Sequence, residues 1–243
     1  MKGWIKMISV AMASYNGEKY IKKQIQSILD NLNQDDEVVI SDDGSTDSTL
    51  KIIAGLNDSR IKLIAGPHNG INKNFENAIK HCKGDYIFLS DQDDIWYPNK
   101  VCIVMKYFKN NPSCVLIQHD AKVTDGEGNI LIHSFSKHRK VRNGIIKNLM
   151  RNTYHGCLMA FKSKLRDYII PIPRKGCFHD QWIGLMANGK GDCLFIEETL
   201  MEYRRYENNA SNFTGNPIHI QLKNRMITFM NLLLYYFGAN YRI

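Results

Sequence analysis

Along the first hundred residues, short apolar runs alternate with stretches whose apolar positions recur every three or four residues. Residues 8–13, 37–41, 61–65 and 85–90 are runs of strand length, bounded by polar clusters. Between them, 18–31 places Tyr20, Ile21, Ile25, Ile28 and Leu29 at helical spacing, with Leu32 just beyond. Ser45-Thr46-Asp47 supplies capping residues ahead of Leu50, Ile52, Ile53 and Leu56, and 70–81 has the pattern of a third helix. Short apolar strands separated by helices predict right-handed βαβ units and a parallel sheet covered on both faces. In such sheets ligands bind at the carboxyl ends of the strands.

The second half is less regular. Strands are expected at 115–123, 130–134, 157–161 and 194–196, with a turn at 125–129. Helical pieces are expected at 144–150 and 181–188, and the basic segment 137–142 reads as a loop. Internal repeats and low-complexity linkers are absent, so one continuous α/β domain over 1–216 is expected, with a nucleotide-binding half (1–98) and an acceptor-side half (99–216). Residues 217–243 form a separate amphipathic helix in which Leu222, Met226, Phe229, Met230, Leu233 and Phe237 make one apolar stripe flanked by Lys223 and Arg225. That stripe fits either packing on the domain or lying on an anionic membrane surface.

Composition narrows the class. With 243 residues, 44% hydrophobic and 23% charged, the chain can bury a full core, which excludes disorder and fibrous repeats. The 32 basic and 24 acidic residues give a net charge of +8, suited to an acidic partner but not selective among them. The basic residues are scattered rather than gathered into an aromatic-interleaved stripe, which argues against nucleic acid. The start of the chain lacks a signal-peptide pattern, no run reaches about 18 apolar residues, and the six cysteines form no C-x-x-C pair. A cytoplasmic protein with reduced cysteines in its core is expected, possessing at most a peripheral membrane contact.

Polar clusters follow three of the strands: Ser14-Tyr15-Asn16-Gly17-Glu18, Asp42-Asp43-Gly44-Ser45 and Asp91-Gln92-Asp93-Asp94. All three therefore fall on one edge of the sheet. Closely spaced carboxylates beyond a strand end suit a hard divalent ion, although Asp-rich loop caps have the same composition. The last cluster is no EF-hand, because that loop's glycine position holds Trp96. The G-x-G-x-x-G and Walker A loops are missing, which argues against dehydrogenases and P-loop phosphotransferases.

Taken in order, SVAMASYNGEKYI (9–21), VVISDDGSTDSTL (38–50), HNGINKNFENAI (68–79), GDYIFLSDQDDIW (84–96) and CFHDQWIGLMANG (177–189) resemble the family 2 glycosyltransferases of GT-A fold. GCLMAFKSKL (156–165) and EYRRYENNASNFTG (202–215) add weaker matches, and SDQDDIW with HDQW looks most like the bacterial rhamnosyltransferase-like subgroup. The resemblance implies a Rossmann-like, mostly parallel sheet flanked by helices, with a smaller mixed acceptor-side region. It also implies residue roles. Ala13, Ser14 and Tyr15 would hold the nucleoside with Glu18 nearby, and Asp42 would sit at the base and ribose edge while Asp43 supports the turn. Asp91 would face the ribose and metal, Asp93 would ligate Mn²⁺ or Mg²⁺, and Asp94 and Trp96 would shape the donor-sugar pocket. Asp180 would be the general base on the acceptor hydroxyl.

From the residues alone, Asp180 reads first as a cap for a helix beginning at Gln181, and His179 as a surface or cap-supporting position. The segment 137–142 is a solvated loop or a contact for phosphates of donor or lipid-linked acceptor. Tyr203-Arg204-Arg205-Tyr206 departs from the subgroup's usual Tyr-Arg-Gln-His, so a histidine near the diphosphate is missing and Arg205 is the available replacement. The activity implied is inverting, metal-dependent transfer from a dTDP- or UDP-linked sugar, dTDP-L-rhamnose first, to a saccharide or lipid-linked saccharide of the bacterial surface. The alternatives are a UDP-hexose-dependent transferase of the same family and an inactive nucleotide-sugar-binding protein.

Overall fold

The computed structural model describes residues 6–206 and 217–238. The first half holds β1 (Ile8–Ser14), α1 (Ile21–Leu29), β2 (Glu37–Asp42), α2 (Thr49–Gly55), β3 (Ile61–Ala65), α3 (Gly70–His81) and β4 (Tyr86–Ser90). The second half adds β5 (Ile95–Trp96), α4 (Lys100–Asn110), β6 (Cys114–Thr124), β7 (Ile130–Ile132), α5 (Phe135–Arg139) and α6 (Ile145–Met150). It continues through β8 (Met159–Lys162), α7 (Arg166–Ile169), α8 (His179–Asn188), β9 (Asp192–Arg204) and α9 (Ile218–Tyr236).

Among the described residues, one nine-stranded sheet runs in the order β3-β2-β1-β4-β8-β6-β9-β5, with β7 on the outside of β6. β3, β2, β1 and β4 are mutually parallel, as expected. Beyond β4 the sheet turns mixed, because β8 pairs antiparallel with both β4 and β6. The strand period sorts the core. Ile8, Val10, Met12, Val38, Ile40, Tyr86 and Phe88 face one apolar layer, and Ala11, Val39, Ile87 and Leu89 face the other. α1 packs on the first layer; α3 and α8 pack on the second. Both faces are thus dry, and truncating the fully buried Phe88 to alanine costs about 3–5 kcal/mol.

Several elements differ from the sequence expectation. α4 falls where no element is expected, although Val101, Val104 and Phe108 are buried at helical spacing. β9 is 13 residues long rather than three, because its register on β6 shifts repeatedly and breaks any clean alternation. Part of the expected basic loop is α5, whose first turn is capped by the Ser134 hydroxyl accepting from Lys137 N at 3.2 Å. All six cysteines are free; five are buried and Cys102 is exposed. Asn209-Ala210-Ser211 and Asn212-Phe213-Thr214, which match the Asn-x-Ser/Thr glycosylation pattern, lie outside the described residues.

The terminal helix packs on the domain, but not through its stripe. Thr228, Asn231 and Leu232 are its buried side chains, and Asn231 Nδ2 donates to Lys175 O at 3.1 Å. Leu222, Met226, Phe229, Met230 and Phe237 are exposed, Met226 by 68% and Phe237 by 82%. The small and polar face docks because Gly176 allows the close approach: a Cβ there would lie 2.8 Å from Ile227 Cγ2. No described helix is long and apolar enough to cross a membrane.

Candidate active site

The ends of β1, β2 and β4 bring the three polar clusters together. Asp42, 4% exposed, accepts from the hydroxyls of Ser14 and Ser45 at 2.6 Å each and from Ser45 N at 2.7 Å. Asp42 therefore holds the turn, the task the sequence assigns to Asp43. Asp43 accepts from Gly70 N at 3.1 Å through Oδ2, while its Oδ1 is buried without a described partner, ready for an incoming N–H donor. Ser14 is buried beneath this turn, Ala13 is half-buried and Tyr15 is exposed. Glu18 accepts from Ser48 N at 2.8 Å and so ties the β1 loop to the start of α2.

Gln92, a residue the sequence analysis does not single out, clamps the first and third clusters. Its Oε1 accepts from Tyr15 N at 2.9 Å and its Nε2 donates to Tyr15 O at 3.0 Å. Gly17 makes room, since a Cβ there would fall 2.5 Å from Gln92 Oε1. The only sequence signal for Gln92 is its place between two of the aspartates.

Beyond β4 the acidic residues crowd together. Burial pushes the Asp91 carboxyl up to about 7, with the charges of Asp93 and Asp180 adding to the effect. Burial also raises Asp93 and carries Asp94 well above the carboxylate range. Asp94 is fully buried and accepts from Arg204 N at 3.0 Å. Beneath them Lys100 is 1% exposed, its Nζ 3.8 Å from the Trp96 ring centre and 3.3 Å from Cys157 O. Burial draws its pKa down to about 7. Trp96 is likewise buried, so Asp94 and Trp96 form the floor of the site rather than an open wall.

Asp91, Asp94 and Cys157 can each offer a ligand atom within 4.8 Å of the others. Crowded carboxylates whose ionised forms repel one another fit a divalent cation, and their oxygens suit Mn²⁺ or Mg²⁺. Asp93, the ligand expected from sequence, is not part of that trio, and its Oδ2 accepts from the Tyr206 hydroxyl at 2.7 Å. Tyr206 is the residue that stands in place of the subgroup's histidine.

Asp180 enters the same site from the other half. α8 begins at His179 with Phe178 at the cap position, so Asp180 lies inside the first turn and is not the cap. It accepts from Gln181 N at 2.5 Å and Asn152 Nδ2 at 3.4 Å. Burial raises its pKa to about 6, and Arg139 partly opposes that shift. His179 is no surface residue: it is buried, stacked on Phe75 at 4.0 Å, and held neutral with a pKa near 3.

The curled, mostly parallel sheet, with clustered carboxylates at its strand ends and a facing carboxylate of raised pKa, has the GT-A-type fold. The chain belongs to Glycosyl transferase family 2, which it matches over residues 9–169. It is 30% identical over 219 residues to the dTDP-rhamnosyl transferase RfbG of Shigella flexneri, covering 82% of this chain and 72% of that protein. The fold is shared with S. aureus TarS 1–349 in complex with UDP-GlcNAc (TM-score 0.70, 18% identity, 97% of this chain and 68% of that one). It is also shared with the mannosyltransferase PcManGT of Pyrobaculum calidifontis in complex with GDP-Man and Mn²⁺ (TM-score 0.61, 16% identity, 84% and 58%).

Proposed function

We propose that this chain is an inverting, metal-dependent glycosyltransferase that moves a sugar from a nucleoside diphosphate onto a bacterial cell-surface polysaccharide acceptor. The observation that carries this reading is Asp180: a half-buried carboxylate, electrostatically coupled to Asp91, with a proton affinity raised to about 6. That value lets it be ionised at neutral pH yet accept a proton as the hydroxyl attacks. In a single displacement the acceptor oxygen approaches the anomeric carbon opposite the leaving nucleotide, Asp180 takes the proton, and the anomeric configuration inverts. Ala13, Ser14, Tyr15 and the Asp42–Asp43 turn hold the nucleoside, and Glu18 braces that loop. Asp91 and Asp94 would hold the divalent ion, with Asp93 fixed beside them by Tyr206. A bound ion supplies charge neutralisation at the diphosphate.

The likeness to RfbG favours dTDP-L-rhamnose as donor, with a UDP-hexose as the alternative. The exposed stripe of α9 supports peripheral contact with the inner face of the cell membrane, where a lipid-linked acceptor would be presented. The test is a panel of nucleotide sugars with Mn²⁺, scored by release of nucleoside diphosphate. Turnover of a dTDP- or UDP-linked donor, lost with EDTA, is expected. Activity undiminished by excess EDTA overturns the metal assignment, and binding of every donor without turnover favours a nucleotide-sugar-binding protein. Co-sedimentation with anionic vesicles, lost on removal of α9, tests the membrane contact.

A further inference from the structure

Beside Asp180 opens a cavity of about 600 Å³ between the start of α3, the end of α6, the segment before α8 and the polar face of α9. Its lining includes Lys73, Arg139, Arg151, Arg174, Lys175 and Arg225, and no carboxylate. Lys73 is neutralised by Glu76 at 2.6 Å. The other five form no ion pair among the described residues. None of the residues assigned to the donor (Ala13, Ser14, Tyr15, Glu18, Asp42, Asp43, Asp91, Asp93, Asp94 and Trp96) lines this cavity. Asn152 and Gln181 do, and both hydrogen-bond Asp180.

The cavity is built rather than incidental. Asn72 Nδ2 donates to Pro173 O at 3.0 Å and Cys177 O at 2.9 Å, and its Oδ1 accepts from His179 N at 2.8 Å. One side chain thus pins the Arg174–Lys175 segment against α3. Asn231 anchors α9 to Lys175 O, so that Arg225 faces the same space. Arg139 feels the charge of Asp180, whereas Arg151, Arg174, Lys175 and Arg225 pair with no carboxylate among the described residues. Cations lining one cavity repel one another, and a multivalent anion relieves that repulsion. Arginine's planar fork is matched to phosphate oxygens.

We propose that this cavity holds a phosphate or diphosphate ester of the acceptor, placed next to the sugar whose hydroxyl Asp180 deprotonates. This rests on the transferase reading above and adds the acceptor's chemical class to it. The ester has two possible sources, the diphosphate of a lipid carrier and a phosphate in the growing polymer.

The full chain is titrated calorimetrically with inorganic pyrophosphate in EDTA, with and without excess dTDP or UDP. Binding that persists with nucleotide present, weakens with added salt and falls about tenfold in the Arg174→Gln/Arg225→Gln double variant is expected. Lys109→Gln, on the remote α4, leaves it unchanged. The single variants, each expected to cost about threefold, keep the experiment readable if the double variant loses its fold. Geranyl diphosphate binding tighter than pyrophosphate points to a lipid carrier, and glycerol phosphate binding as well as geranyl diphosphate points to the polymer. Undiminished affinity in folded variants, or displacement of pyrophosphate by nucleotide, overturns the proposal. Pyrophosphate binding that the variants abolish, in a protein that turns over no nucleotide sugar, would sink the transferase reading and keep the anion site.

Discussion

The side-chain amide of Gln92 and the backbone of Tyr15 exchange two hydrogen bonds, at 2.9 and 3.0 Å, and so lock the loop after β1 to the loop after β4. Gln92→Ala releases both loops without touching the core. We expect the donor KM to rise about tenfold with little change in melting temperature. Gly17→Ala drives the amide away and should reproduce this effect. Because both act on one clamp, the double variant should add little to either. Additive losses in steady-state kinetics would show that the two positions act separately.

Asp180→Asn keeps size and hydrogen bonding but cannot take the proton. Positioned proton transfer contributes about 10²–10⁴-fold, so kcat should fall by that factor while nucleotide Kd and melting temperature hold. In the wild-type protein the rate should rise with pH through a limb near 6 as Asp180 ionises. That limb should vanish in the variant. Near-full transfer by a folded Asp180→Asn protein would remove Asp180 from the mechanism.

Asp91 carries a stability cost that metal should relieve. Its pKa rises from 3.8 to about 7 on folding, so the folded form holds its proton more tightly than the unfolded chain. The stability it costs is absent below the unfolded value, grows through the interval and is complete above about 7. In EDTA, Asp91→Asn should therefore melt higher than wild type at pH 8, and the two should converge in acid. Mn²⁺ should raise the wild-type melting temperature and leave the variant unmoved. Identical melting curves across the pH range would contradict this.

Tyr206→Phe removes only the hydroxyl that donates to Asp93. Outer partners of metal-site carboxylates are worth about 10–100-fold in metal affinity. A Mn²⁺ titration followed by paramagnetic resonance should show a loss in that range with the fold intact. Unchanged affinity would make Tyr206 a packing residue alone.

Lys100→Met deletes the buried cation beneath Asp91 and Asp94 while preserving the aliphatic stem. At neutral pH, where Lys100 and Asp91 are each only partly charged, losing the ammonium and its hydrogen bond to Cys157 O should cost about 1–3 kcal/mol in urea unfolding. Mn²⁺ should recover part of it. A neutral or stabilising substitution would mean that Lys100 contributes no compensating charge.

Much of the fold is legible in the chain itself. The largely apolar strands β1, β2 and β4 and the helical spacing in α1 and α3 are local periodicities, and local periodicity decides which face of an element leaves water. The order of motifs, with the acidic cluster after β4 and Asp180 at the start of α8, likewise locates the site within the chain. α4 is legible in retrospect from Val101, Val104 and Phe108. β9 is not, because Glu197, Glu198 and Glu202 interrupt its alternation and only pairing with β6 extends it.

What each site residue does was decided by tertiary contacts. Asp42 and Asp43 are adjacent and chemically identical; Ser14, Ser45 and Gly70 determine which of them holds the turn. Tyr206 lies 113 residues from the Asp93 carboxylate it bonds, and Gln92 lies 77 from Tyr15. On α9, Gly176 and Lys175 rather than the stripe itself determine which face is buried. The proton affinities of Asp91 and Asp180 depend on how much water distant segments exclude. Periodicity is a property of neighbours along the chain, whereas desolvation and charge coupling exist only once remote segments have been brought together.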